Sequence, residues 1–414
     1  MSRQNATAAG GWQSSLPLVI AGFVISFVVV GGGIETVGVF LNAISAANHW
    51  SRSSLSLGVS VGAVMAALST PAVGVLVDRH GVRLPMTAGV ALLFVGFVIL
   101  MLMQQPWHFV AANVFLGPGF AACALLPLTI AVTLLIPDRT TLALGIVAAG
   151  TSAGALVLAP LLQAVIEATG WRNTYILMGS AVVLTPLPFI AFALPRGQLR
   201  SAAAREPQQR PQGSPLRDLR QPGVGALAGV MMLPGLTAFS VSVHLVPYLT
   251  GLGRTGTAAA AALGAMVGIS AVGKIGGGLL GDRLGALRTL RLALALDAIA
   301  LVLLHYASAS VALGGFITLY GLALGAQIAV IPAIAIGVLG AERFGTLFGL
   351  LQLGTMLASA VGPVASGLIF DATGHYAGAI LLWLVALIAA TATAFWIPPA
   401  KTTVVSTPVR QAVA

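Results

Sequence analysis

Apolar runs of some twenty residues or more follow one another along almost the whole chain, separated by short polar breaks. A helix needs ~20 apolar residues to cross the hydrocarbon core of a bilayer. In lipid the backbone must satisfy its own hydrogen bonds, so only helices and closed barrels span. Runs of this length read as membrane-spanning helices. Twelve can be bracketed, at roughly 16–41, 54–77, 84–103, 107–135, 142–166, 172–194, 223–250, 257–281, 287–306, 309–338, 345–369 and 375–397. Only 7% of the 414 residues are charged, against 58% hydrophobic. A soluble domain carries about a quarter charged residues, so the fold class is an all-α membrane protein with twelve transmembrane helices.

The second constraint is internal repetition. Asp78-Arg79-His80-Gly81, followed by Arg83, returns 204 positions later as Asp282-Arg283-Leu284-Gly285, with Arg288 in place of Arg83. Asp138-Arg139 returns as Glu342-Arg343, and Gly150-Thr151 as Gly354-Thr355, at the same offset. Glu167-Ala168-Thr169-Gly170 returns as Asp371-Ala372-Thr373-Gly374, again at that offset. Such self-similarity marks two equivalent structural units. The expected division is an N-terminal segment 1–15, a six-helix bundle 16–194, a linker 195–221, a second bundle 222–397 and a tail 398–414. The linker is rich in Arg, Gln, Pro and Ser and has no apolar periodicity.

Orientation follows from the cations. With the N-terminus inside, sixteen of the twenty lysines and arginines face the cytoplasm, while Arg52, Arg172 and Arg254 face outward and Lys274 falls within a span. The expectation is a multi-pass cell-membrane protein with both termini cytoplasmic. The net charge of +10 sits in loops between apolar runs, which argues against a nucleic-acid partner. The single Cys123 excludes disulfides and cysteine metal sites. The run 16–41 is too long for a signal-peptide core and reads as the first span. No metal-ligand cluster, nucleophile–base constellation or phosphate-binding loop appears. The reading is therefore not an enzyme, without ATP coupling or cofactors.

Two parallel six-helix repeats joined by a cytoplasmic linker, with the doubled Gly-x-x-x-Asp-Arg-x-Gly loop, resemble the major facilitator superfamily along the whole chain. More narrowly, the chain resembles the monocarboxylate transporter and oxalate/formate antiporter branch. Trp50-Ser-Arg52, Leu144-Gly-Ile-Val-Ala-Ala-Gly150, Gly170-Trp171-Arg172 and His244-Leu-Val-Pro247-Tyr248-Leu249 carry that resemblance. It implies a solute site between the halves near the bilayer midplane, reached by alternating access. It also implies that Asp78, Arg79 and Arg83, with Asp282, Arg283 and Arg288, form a gating latch at the cytoplasmic side. An ordinary positive-inside loop is the plainer account of the same residues.

Lys274 is the sharpest single residue. It lies eight residues before Asp282, about 12 Å from the helix end at ~1.5 Å per residue. A lysine that deep costs ~2.5–3.5 kcal/mol unless it meets a cavity or a partner. The resembled branch places an arginine here to bind a substrate carboxylate; lysine keeps the charge and loses the bidentate fork. A structural ion pair is the alternative. Asp297, near the middle of span nine, suits a partner for Lys274, a proton carrier or a packing polar pair. Glu35 follows Gly31-Gly32-Gly33 in span one, where a carboxyl group can take up a proton or contact solute. His244 lies at a similar depth in span seven, and histidine titrates near neutral pH. Asn113, Gln163, Gln327 and Gln352 are further candidates for the cavity lining, although a neighbouring helix often satisfies such groups. The Gly/Ala runs at 150–154 and 354–358 suit close helix contact.

These residues point to proton-coupled transport of a small organic anion, most simply a monocarboxylate, by a monomer in the lipid bilayer. Oxalate exchange is disfavoured, because dianion carriers of the branch add a cation in span eleven and residues 345–369 contain none. Efflux of a drug or larger metabolite is the alternative within transport. A non-transporting membrane sensor or assembly protein is the alternative outside it.

Overall fold

The computed structural model describes residues 11–123, 127–128, 131, 140–193, 223–339 and 344–398. Among the described residues twelve helical spans form one bundle, and ten of them are long and apolar enough to traverse a membrane. The first, α1, is composite: Gly11–Ile25, a π-helical stretch Ser26–Gly32, and Val37–Asn48. It is followed by α2 (Arg52–His80), α3 (Arg83–Met101), α4 (Pro106–Cys123), α5 (Thr140–Thr169) and α6 (Trp171–Leu184). A short turn Pro186–Pro188 and a π-helical Phe189–Ala193 prolong α6. The second half holds α7 (Val224–Gly251), α8 (Gly256–Leu284), α9 (Ala286–His305), α10 (Ser310–Leu339), α11 (Phe344–Thr373) and α12 (Ala377–Ala394). Among the described residues there is no strand. The expected linker 195–221 lies outside them, as do Arg139, Glu342, Arg343 and all but the first residue of the tail 398–414.

Helices α8 and α9 show how the sequence assigns faces. On α8, Val272, Ile275 and Leu279 are 61%, 69% and 58% exposed, while Ser270, Gly273 and Gly277 are buried. Leucine and valine pointing out of a bundle suit lipid, which solvates them as well as a core does. Small residues on the inner face let backbones approach, since no hydrophobic force draws helices together within lipid. Helix α9 carries Arg288, Arg291 and Asp297; Arg291 donates to the carbonyl of Ala394 at the end of α12.

The first span is not a continuous helix. The amide of Glu35 bonds the carbonyl of Val30 at 3.1 Å, five residues back, and residues 33–36 form turns before the helix resumes. The hydroxyl of Thr36 donates to the carbonyl of Gly32. The break falls on Gly31-Gly32-Gly33, which have the lowest helix propensity short of proline. π-bulges recur at functional positions because they re-aim the residues that follow.

Helix α1 reaches α5 through glycines on both sides. A β-carbon on Gly31 would lie 2.7 Å from both Cα of Gly154 and the carbonyl of Thr151, and one on Gly154 would collide with the carbonyl of Phe27. Both obstacles are backbone and cannot rotate away. Replacing Gly154 by Val should therefore separate α1 from α5, at about 1–3 kcal/mol of overpacking. Thermal unfolding in detergent should shift down by several degrees; an unchanged unfolding profile would contradict this packing.

Candidate functional site

A cavity of about 420 Å³ lies between the two halves. The first half contributes Gly33, Ile34, Glu35 and Val37 from α1, Val59 and Ala63 from α2, and Asn113 and Phe120 from α4. The second contributes Phe239 and Ser242 from α7, Leu324 and Ile328 from α10, and Met356 and Ser359 from α11. The walls are mostly apolar with a few polar points, the usual character of a small-molecule site. Glu35 is the one charged residue in the lining, delivered there by the break in α1. Asn113 bonds its own helix at the carbonyl of Phe109, 2.8 Å away.

Lys274 is not in that lining. It sits at the seam between α8 and α5, where its Nζ donates to Oγ of Ser152 at 3.4 Å. Helix α8 also packs tightly on α10: a β-carbon on Gly325 would stand 2.6 Å from the backbone nitrogen of Lys274. Glu35 and Lys274 carry opposite formal charges, although neither hydrogen bond nor close ion pair joins them. The two opposite charges therefore belong to different halves, one on the cavity wall and one beside it. Ser152 was not anticipated as a polar partner; it lies inside the Gly150–Gly154 run of small residues.

Among the described residues the halves meet at one end of the bundle and leave open space at the other. At the end bearing Arg52, Asn42 accepts from the hydroxyl of Thr250 at 3.2 Å. A β-carbon on Gly38 would lie 2.6 Å from the carbonyl of Ser242, and one on Gly264 would lie 2.7 Å from that of Ala155. His244 belongs to this closure. Its Nε2 lies 2.9 Å from the carbonyl of Pro363 and 3.3 Å from Oγ of Ser56. Its Nδ1 lies 3.0 Å from the hydroxyl of Tyr376. A carbonyl only accepts, so Nε2 carries the proton and Nδ1 accepts from Tyr376. Tyr376 in turn accepts from Nη1 of Arg52 at 2.6 Å. Burial pushes the Tyr376 phenol up to about 12, Arg52 pulling the other way, so it stays a neutral donor. Towards the other end there is open space beside both α5 and α8. Gly278 lies one turn beyond Lys274 and Gly145 two turns from Ser152, and nothing stands within 4 Å of a β-carbon on either.

The sequence profile of the Major Facilitator Superfamily matches residues 23–296 and, in a second alignment, 225–412. The chain belongs to the major facilitator superfamily. It is thus a membrane transporter and not an enzyme. Monocarboxylate transporter 13 of Bos taurus is 26% identical over 383 residues, 90% of this chain and 88% of that protein. Monocarboxylate transporter 12-B of Danio rerio is 29% identical over 305 residues, and the match spans 63% of that protein's length. An uncharacterized MFS-type transporter, YcxA of Bacillus subtilis (strain 168), is 26% identical over 352 residues. A bacterial homolog of the human lysosomal transporter Spinster, solved in an inward-facing and occupied conformation, superposes with a TM-score of 0.68. It covers 94% of both chains at 14% identity, a likeness of fold.

Within this superfamily fold the remaining candidates take definite places. His244 is buried in the closure and does not line the cavity, because α7 presents Phe239 and Ser242 there instead. Asp297 does not pair with Lys274. Its Oδ2 accepts from Nε2 of Gln327, and both are buried between α9 and α10. Gln327 is thereby turned away from the lining, and Gln352 is exposed on α11. Gln163 donates to Glu167 near the Arg52 end. Arg83 donates to the carbonyls of Ile190 and Ala191 in its own half. Asp282, Arg283 and Arg288 are exposed; the side chains of Asp78 and Arg79 lie outside the described structure.

The Asp297–Gln327 pair makes a stability prediction. Gln327→Leu leaves a buried carboxyl without its donor, a loss of ~1–3 kcal/mol, whereas Asp297→Asn keeps an acceptor for Gln327. Melting in detergent should fall by several degrees for the first and little for the second. Equal melting of both variants and wild type would contradict the assignment.

Proposed function

We propose that the chain is a secondary transporter of small organic anions, monocarboxylates foremost, in symport with protons. The observation that carries this reading is a carboxyl group and an amine held by different halves, Glu35 on the wall of the central cavity and Lys274 beside Ser152 at the seam. An empty carrier with Glu35 ionised and Lys274 protonated is balanced. A loaded carrier is balanced again if the solute carboxylate takes over Lys274 and Glu35 takes up a proton. Neither form leaves a net charge in lipid, where one unpaired charge costs ~2.5–3.5 kcal/mol or more. A carboxylate without the proton, or a proton without the carboxylate, would leave one. Coupling thus follows from charge balance.

The names of the relatives from Bos taurus and Danio rerio support the anion class. With the positive-inside orientation, the chain sits in the cell membrane with both termini cytoplasmic, closed outward and open inward. The cavity lies wholly within one chain, which suits a monomeric unit. Asp297, bonded to Gln327, is a packing group in this reading and not the proton carrier.

A second reading has its own observation. The apolar walls, with Phe120 and Phe239 on opposite halves, also suit a larger amphipathic metabolite moved outward. Competition of such compounds against a labelled carboxylate separates the two.

Lys274→Ala should lower carboxylate uptake into proteoliposomes by tenfold or more, about the ~1.4 kcal/mol of a single lost charge contact. Lys274→Arg should retain part of it. Wild-type uptake by Lys274→Ala would contradict the proposal.

A further inference from the structure

The repeated acid-Ala-Thr-Gly motif lands on symmetric ground. Glu167 sits two residues before the end of α5 and Asp371 two before the end of α11. Gly170 and Gly374 follow at φ +84° and +76° and turn the chain out of each helix. A carboxylate so placed faces the negative end of its own helix dipole, which disfavours it. Each acid instead reaches the N-terminus of a helix in the opposite half. Asp371 accepts from the main-chain N–H of Arg52 at 3.3 Å and of Ser53 at 3.0 Å, in the first turn of α2. Glu167 accepts from the hydroxyl of Thr257 at 3.0 Å, in the first turn of α8. Ser53 and Thr257 are themselves 204 positions apart.

The caps complete the symmetry. Ser51 and Thr255 cap their own helices by accepting from the amides of Ser54 and Ala258, both at 3.2 Å. The first amides of α2 are left for Asp371. At α8 the place of Arg52 is taken by Gly256, where a β-carbon would lie 2.9 Å from Oε1 of Glu167. The missing side chain makes room for the longer acid. On the α2 side the contact is reinforced, since the guanidinium of Arg52 lies 4.0 Å from the ring centre of Phe370.

We propose that Glu167 and Asp371 are paired positioning residues of the transport cycle, latching each half's acid-ended helix to the other half's helix N-terminus. Each acid has partners in the other half only while this end of the bundle is closed; Glu167 otherwise keeps Gln163 of its own helix. Opening returns it to the adverse end of its own helix, so the two latches hold the resting carrier closed at the Arg52 end. The inference does not depend on which solute is carried.

Spin labels on Ala46→Cys and Leu252→Cys, exposed sites on opposite halves at this end, report the gap without solute. They are introduced with Cys123→Ala, and the protein is measured in nanodiscs by pulsed electron resonance. The parent should show one short distance, with an open population below about a tenth. Glu167→Ala with Asp371→Ala should raise the open population to about half or more. Ser53→Pro with Thr257→Val removes one of the two amides that bond Asp371 and the hydroxyl that bonds Glu167, and leaves the acids, proline being tolerated in a first helical turn. It should produce the same longer distance. A distribution that stays short in either pair overturns the proposal.

Discussion

An ammonium and a carboxyl group, carried by different halves of the molecule and held away from bulk water, constrain everything around them. The bond from Lys274 to Ser152, at 3.4 Å, is worth ~0.6 kcal/mol by the average for interhelical bonds in a membrane protein. The penalty for an embedded lysine is several times larger. Ser152 orients the ammonium; it does not offset its burial. The opposite charge of Glu35 is needed, and so is a backbone that brings α1, α5 and α8 together. Glycines at 31, 154 and 264 permit those approaches because the facing atoms are main-chain atoms that cannot yield. Charge balance and close glycine packing are thus one requirement seen at two scales.

The 204-residue repeat gives the bundle two ends with different duties. At the Arg52 end the halves are joined by Asn42 and Thr250, by the His244–Tyr376–Arg52 chain, and by the contacts of Glu167 and Asp371. Near Gly145 and Gly278 there is open space beside the described helices. A carrier must have both arrangements within reach, so neither set of contacts can be very strong. Single hydrogen bonds of about 1 kcal/mol, several of them charge-assisted, meet that need.

Much of the fold was legible in the sequence because lipid leaves the backbone so few choices. Long apolar runs become helices, and the doubled loops mark the halves. The break in α1 was announced by Gly31-Gly32-Gly33, although not its π-helical form. The site was legible where a residue type is costly in itself: Lys274 and Glu35 drew attention through the expense of burial. It was not legible where the partner is distant. His244 was read as a cavity residue, but Pro363 and Tyr376, 119 and 132 positions away, hold it in the closure. Asp297 and Gln327 were read separately because nothing in the sequence pairs α9 with α10 at that level. The acid-Ala-Thr-Gly motif was visible only as repetition, since its partners lie on other helices. Spacing along one helix reports its faces; which face meets which neighbour is decided by packing.

The central claim is that Glu35 carries the proton that accompanies a solute carboxylate. Its most direct test is proton movement during solute entry, read by a pH-sensitive dye trapped in proteoliposomes with no imposed gradient. Adding the carboxylate outside should acidify the lumen with wild-type protein. With Glu35→Gln the acidification should vanish while exchange of labelled solute continues. Acidification that persists in Glu35→Gln would contradict the account.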